Sequence, residues 1–216
     1  MQIQQININN TRLKPNFTAK PLYNIKLLDN AGNKITDALV VELEKGKKED
    51  LKALEEIEKT CDRNDIFNVP NRLFLSIIDH FKSNKNNEER FFAVTTPYKK
   101  KLNILGCMYT SPNEKTNKTT LFLDKLFVRQ DVANRNNQRK IKGVGEALLG
   151  ESITLAKDAK YKALEFLSIA DEFYDHSLNS AKVTNYREKN CSFFHIKEDF
   201  FDTFIKYCSN KYNIQK

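Results

Sequence analysis

Two glycines one residue apart, Gly143 and Gly145, stand between the basic run Arg139-Lys140-Ile141-Lys142 and the first apolar turn of a helix opening at Val144. Glycine costs a helix about 0.8–1.0 kcal/mol relative to alanine, so a pair at a helix start implies that backbone, not side chains, is to be approached closely. The first turn of a helix carries amides with no acceptor inside the helix, at the positive end of its dipole. The amides of residues 142–146, ringed by Arg135, Arg139, Lys140 and Lys142, therefore read as a seat for a phosphorylated anion. The alternative is a glycine turn flanked by solvated lysines.

Such a turn needs a strand before it and a buried helix after it. The segment TTLFLDKLFVRQ reads as that strand, and it follows two others, RFFAVTTP and KLNILGCMYTSP, with turn residues between them that suit an antiparallel meander. From Val144 the stripe Leu148, Leu155, Ala159, widened by Leu149, Ile153 and Ala156, predicts a helix to about Lys160 with one buried face. KALEFLSIAD reads as a returning strand, IADEFYDHS as a solvated loop and LNSAKVTNYREKN as a short helix ended by Asn190. The closing CSFFHIKEDFFDTFIKYC fits one or two strands, or a strand and then a helix.

Upstream, PLYNIKLLDNAGNKITDALVVEL carries turn chemistry at Asp29-Asn30-Ala31-Gly32-Asn33 between two apolar runs and reads as a hairpin. Two amphipathic helices follow, in KKEDLKALEEIEKTC and NRLFLSIIDHFKSN. Residues 1–20 form a polar extension, and residues 21–216 form a single mixed domain, because neither a fixed-period repeat nor a low-complexity block interrupts them. A meander whose last strand passes through a helix to a neighbouring strand switches its sheet from antiparallel to parallel pairing. The fold class is α+β: a mixed, mostly antiparallel central sheet flanked by helices.

The net charge of +8 favours polyanionic partners, a group that includes nucleic acid, membranes and phosphorylated cofactors alike. Four cysteines with no CxxC pair, and only three histidines, point to packed thiols and to no metal site. The first residues lack the apolar run of a signal peptide, and no segment approaches the roughly 20 apolar residues of a bilayer span, so a cytoplasmic location without membrane attachment is expected. No GxxxxGK[ST] run is present and the third glycine of a GxGxxG fingerprint is missing, since Leu148 stands there, which argues against nucleotide hydrolysis and dinucleotide binding.

The order of elements, with Lys140-Ile141-Lys142-Gly143-Val144-Gly145, resembles the GNAT family of acyl-coenzyme A dependent N-acyltransferases. Their signature opens with Arg or Gln, where this chain has Lys140. The strand LDKLFV before the signature, and Asn179 seven residues ahead of Tyr186, also match. The connection from Val128 to the signature is longer than in typical members, and Asn190-Cys191 stand where Gly-Phe is common.

The resemblance implies acetyl-CoA as cosubstrate, with its pyrophosphate on Arg139, Lys140, Lys142, Gly143, Val144, Gly145 and Glu146. Its pantetheine arm would lie along Leu126, Phe127 and Val128 where two strands diverge, with Asn179 beside it. It also implies direct attack by a primary amine, from a small molecule or a protein, in a ternary complex. A lysine-like amine is protonated at neutral pH, so a base must take its proton. Asp124 and Glu165 are the carboxylates placed for this, with Asp124 preferred, and Tyr186 matches the tyrosine that protonates the departing thiolate. Asp171, Glu172 and Asp175 would form either an acidic rim for cationic acceptors or a solvated loop. The chain would act as a monomer or homodimer, and nucleic acid is not expected as a partner. The alternatives are a catalytically silent member of the fold and a basic module that binds nucleic acid or protein.

Overall fold

The computed structural model describes residues 18–29, 31–59, 61, 68–83, 88–98, 101–129, 132, 141–187 and 191–214. The expected hairpin is present. Strands β1 (Lys20–Leu28) and β2 (Lys34–Leu43) pair antiparallel. The Asp29 carboxylate closes their turn by accepting from the Asn33 amide at 2.8 Å and the Asn33 side chain at 2.9 Å. Gly32 takes φ of +87° in that turn, a conformation open to glycine without steric cost.

Helices α1 (Lys48–Glu58) and α2 (Val69–Lys82) follow as read. The Asn68 side chain caps α2 by accepting from the Asn71 amide at 3.1 Å. The meander is β3 (Arg90–Tyr98), β4 (Lys101–Pro112) and β5 (Thr120–Val128). Helix α3 (Val144–Asp158), β6 (Ala163–Leu167), α4 (Asp171–Ser180), β7 (Phe193–Lys197) and α5 (Phe201–Tyr212) complete the described chain. No described helix is long and apolar enough to cross a membrane.

Among the described residues the seven strands lie in sequence order, and of these only β5 and β6 pair parallel. This is the expected switch. The sheet separates two cores: Phe74, Ile77, Phe91 and Phe127 pack on the α1–α2 side, and Leu123, Leu148, Phe166 and Phe204 pack on the α3–α5 side.

Three expectations are corrected. The segment read as a loop, Ile169–Ser177, is helical from Asp171 and belongs to α4; the acidic start of that helix is the charge that a helix N-terminus favours. The segment read as a helix ending at Asn190 leaves helical structure after Ser180, because Lys182 and Asn185 adopt φ of 61° and 55°. Helix α3 was expected to bury one face, but its residues 144–153 are all buried because α5 covers the face turned away from the sheet. The closing segment is a strand followed by a helix. Of the polar extension, residues 1–17 lie outside the described residues, and Lys20 already belongs to β1.

Gly106 of β4 lets α3 sit this close to the sheet. A Cβ there would lie 2.7 Å from the Phe127 carbonyl oxygen and 2.8 Å from Val144 Cγ1. Gly106→Val is therefore expected to destabilise the fold by about 1–3 kcal/mol through overpacking, a fall of roughly 2–12 °C in the unfolding midpoint by calorimetry.

Candidate active site at the α3 N-terminus

The first turn of α3 is held from several sides. Gly143 is its N-cap with φ of +102°, in the left-handed region, and a Cβ on it would lie 2.4 Å from the Tyr212 ring. Before it, Lys142 and Leu28 exchange two backbone bonds, at 2.7 and 3.2 Å, which tie the turn to the end of β1. A Cβ on Gly145 would meet the Phe173 ring of α4 at 3.0 Å and Val128 of β5 at 3.4 Å. Neighbouring rings thus account for both glycines on their side-chain side. The helix ladder starts with the Ala147 amide donating to the Gly143 carbonyl at 2.8 Å, so the amides of Val144, Gly145 and Glu146 precede it. No side chain among the described residues caps them.

Glu146 contributes only its amide to that end of the helix, because its side chain turns into the protein. Its buried carboxylate accepts from the Tyr207 hydroxyl at 3.0 Å, from Lys211 Nζ at 2.7 Å and from the Tyr212 hydroxyl. Burial, and then the Glu146 charge, pushes the Tyr212 hydroxyl far above its ordinary pKa. Burial acts to lower the Lys211 ammonium, but its bonds to Glu146 and Tyr207 outweigh that and leave its pKa raised. The last helix of the chain therefore grips the first turn of the central one. Arg135, Arg139 and Lys140 lie outside the described residues.

Val128 leads from this turn to the gap. Strands β5 and β6 are paired only at Thr120–Ala163, Leu121–Leu164 and Phe122–Glu165, and then they diverge. Beyond Phe122, β5 keeps only its β4 partner, with Leu126 opposite Met108, Phe127 opposite Cys107 and Val128 opposite Gly106. Leu123 faces Thr110 and Lys125 faces Tyr109, so Asp124 is the extra residue of a bulge. The bulge reverses the alternation, and Leu126 and Val128 pack toward α3 while Phe127 packs on Phe74 of α2. Asp124 is half-buried and accepts from the Ser111 hydroxyl at 2.7 Å. Burial raises its pKa against the opposing Ser111 bond.

Asn179 and Tyr186 do meet, with the Tyr186 hydroxyl donating to Asn179 Oδ1 at 3.2 Å. Their setting differs from a helix beside the gap. The Tyr186 carbonyl accepts from the His195 amide at 2.7 Å, so this segment runs along the side of β7 away from β6. The Tyr186 ring stacks on Phe194 of β7 at 5.8 Å, and its hydroxyl pKa is raised by burial and then by Asp175. Tyr174 of α4 stands nearer the gap, 4.5 Å from the Phe166 ring of β6. The carboxylates expected at the rim are engaged: Arg187 donates to Asp171 at 2.8 Å and also pairs with Asp175. A cleft of about 460 Å³ opens beside them, lined by Ser168, Ile169, Ala170, Asp171, Glu172 and Ser192.

The sequence reading missed Gly106, Phe173, Tyr174, Tyr212 and His195. A lone glycine within a strand pattern was the one local sign of close approach at Gly106. The aromatic residues carry no signal of their own, since they act through contacts with distant elements.

A meander that turns through a glycine-led helix into a diverging parallel strand is the fold of the GNAT acetyltransferases, and this chain has it. Solved structures of that fold match over most of their length. One is described as AtaTR bound with acetyl-CoA, with 11% identity over 76% of this chain and 96% of that one at a TM-score of 0.51. Another, AtaT complexed with acetyl-methionyl-tRNAfMet, has 11% identity over 77% and 98% at a TM-score of 0.50. An acetyltransferase of the GNAT family from Staphylococcus aureus Mu50 has 17% identity over 74% and 99% at a TM-score of 0.43. No family profile matches the chain, and no curated protein sequence does.

A carboxyl whose pKa is raised on folding makes its charged form a cost to the native state. For Asp124 the sign follows directly: its contribution is most favourable below the ordinary aspartate pKa of about 3.9 and is lost as pH rises through the raised value. Asp124→Asn, which can still accept from Ser111, is expected to unfold at a higher temperature than the parent at pH 7, and the difference should vanish below about pH 4.

Proposed function

We propose that this chain transfers an acetyl group from acetyl-CoA to a primary amine. The observation carrying this reading is the gap between β5 and β6, which opens after three pairs and whose β5 side ends against the first turn of α3. Main-chain groups of residues 123–128 that face away from β4 offer an extended ligand the bonds of an added strand. The amides of Val144, Gly145 and Glu146 stand ready for a pyrophosphate at the end of that path, with Lys142 beside them. Arg139 and Lys140 would add charge-assisted contacts. Asn179 is the family counterpart of a pantetheine contact. A solved structure of the same fold, AtaTR, is described as bound to acetyl-CoA, which supports this choice of cosubstrate.

The amine nitrogen attacks the thioester carbonyl carbon, the C–S bond breaks, and no enzyme-bound acyl intermediate is needed. Asp124 is the base in this reading: burial raises its proton affinity, and the bulge sets it beside the divergence. The departing thiolate takes up a proton. The family pattern gives that proton to Tyr186, whereas the geometry favours Tyr174, because the backbone of Tyr186 lies two strand spacings, about 9–10 Å, from β6.

Thermal unfolding tests the cosubstrate. Acetyl-CoA at 100 times its dissociation constant should add about 2.7 kcal/mol, or roughly 5–10 °C, and Gly145→Ile should remove the shift. An unshifted parent protein would defeat the reading. Among variants that keep the shift, free-thiol release from acetyl-CoA in the presence of an amine panel identifies the acid: turnover should fall in Tyr174→Phe and persist in Tyr186→Phe.

A further inference from the structure

On the sheet face opposite α3, the Glu165 carboxylate is 6% exposed and has both oxygens engaged. Oε2 accepts from Asn113 Nδ2 at 2.6 Å and from the Thr120 hydroxyl at 2.8 Å, while Oε1 lies 2.9 Å from His195 Nδ1. A carboxylate in this position makes Nδ1 the donor and leaves Nε2 as the ring's free acceptor. The imidazole is not enclosed, since the His195 side chain is 38% exposed.

Phe122–Glu165 is the last pair before β5 and β6 part, and His195 is opposite Glu165 on β7. The imidazole therefore stands by the closed end of the gap. Two residues along the same face, the pair Leu167–Phe193 is exposed, which gives the approach to His195 an apolar wall. Strand alternation puts Lys197 on this face of β7. Asp124 of β5, whose partner Ser111 shares a face with Tyr109 in the α1–α2 core, lies on it as well. Glu165 is the charged group that meets His195, from β6, while Lys197 follows on the same face of β7 and Asp124 lies on that face of β5; Asn113 of the β4–β5 turn and Thr120 of β5 are the neutral groups bound to Glu165.

We infer that His195, oriented by Glu165, accepts the proton that turns the incoming ammonium into the attacking amine. The inference rests on the acetyl-transfer reading above. Proton accounting calls for such a group. An ammonium and acetyl-CoA become an amide, free CoA thiol and one released proton, so the nitrogen loses two protons. One ends on sulfur and the other leaves to water. Asp124, half-buried, serves the proton lost as the adduct collapses, and the more open imidazole serves the first and passes it to solvent. A purely structural role is the rival: the same bonds pin the β4–β5 turn to β6.

Two small amines separate these roles, n-butylamine, an ammonium at pH 7, and methoxyamine, which is neutral there. CoA release is measured with each for the parent, His195→Gln and Glu165→Gln, after circular dichroism confirms the fold. The inference expects the butylamine-to-methoxyamine ratio of kcat to fall about 100-fold in His195→Gln and to fall in Glu165→Gln as well, with KM for acetyl-CoA unchanged. Equal slowing with both amines, or no slowing in either variant, overturns it in favour of the structural role. A parent protein inert toward both amines, or showing no thermal shift with acetyl-CoA, overturns the acetyl-transfer reading itself and this inference with it.

Discussion

A parallel pair of strands that stops after three residues is the constraint around which this molecule is arranged. Hydrogen-bonding groups of the backbone must be satisfied or left within reach of water or a ligand. In β5 the residues after Phe122 stay bonded to β4 on one side, while the strand that began as their other neighbour turns away toward α4. The bulge at Asp124 falls at this point. It bends the strand and reverses its alternation, so that Leu123 and Leu126 reach the same core from opposite sides of the extra residue.

The gap would be of little use if its mouth were loose, and α3 supplies the rigid end. This helix is buried on the sheet side through Gly106 and on the outer side through Gly150, where a Cβ would lie 3.1 Å from Cys208 Sγ of α5. A buried carboxylate in its first turn would be costly without partners, and Glu146 has three donors, all from α5. The arrangement fixes Gly143 in its left-handed conformation under Tyr212, and so fixes the direction in which the first amides point. The same logic recurs across the sheet, where buried Glu165 draws its donors from the β4–β5 turn, from β5 and from β7.

Much of this was legible along the chain. The hairpin at Asp29, the meander, the glycine pair and the strand leading into it follow from turn chemistry, alternation and helix-start signals, all local in sequence. The Asn179–Tyr186 contact was also readable, as a spacing, but not its place outside β7, because that depends on the His195 amide. The reason for the glycines was only half legible. Their sequence context spoke for bare amides, whereas the rings of Tyr212 and Phe173 that fill their side-chain positions come from 69 and 28 residues downstream, as the numbering gives them.

The amino-acid sequence by itself determined the hairpin, the first two helices, the meander, the central helix and the parallel return to β6, since periodicity and turn residues act within a few positions of the chain. Tertiary structure alone decided which side chains share a site. Glu165 and His195 meet from two strands, and Glu146 finds its partners in the last helix. Burial, close approach and shifted proton affinity arise between elements distant in sequence, so the chemistry of the gap became visible only once the sheet was assembled.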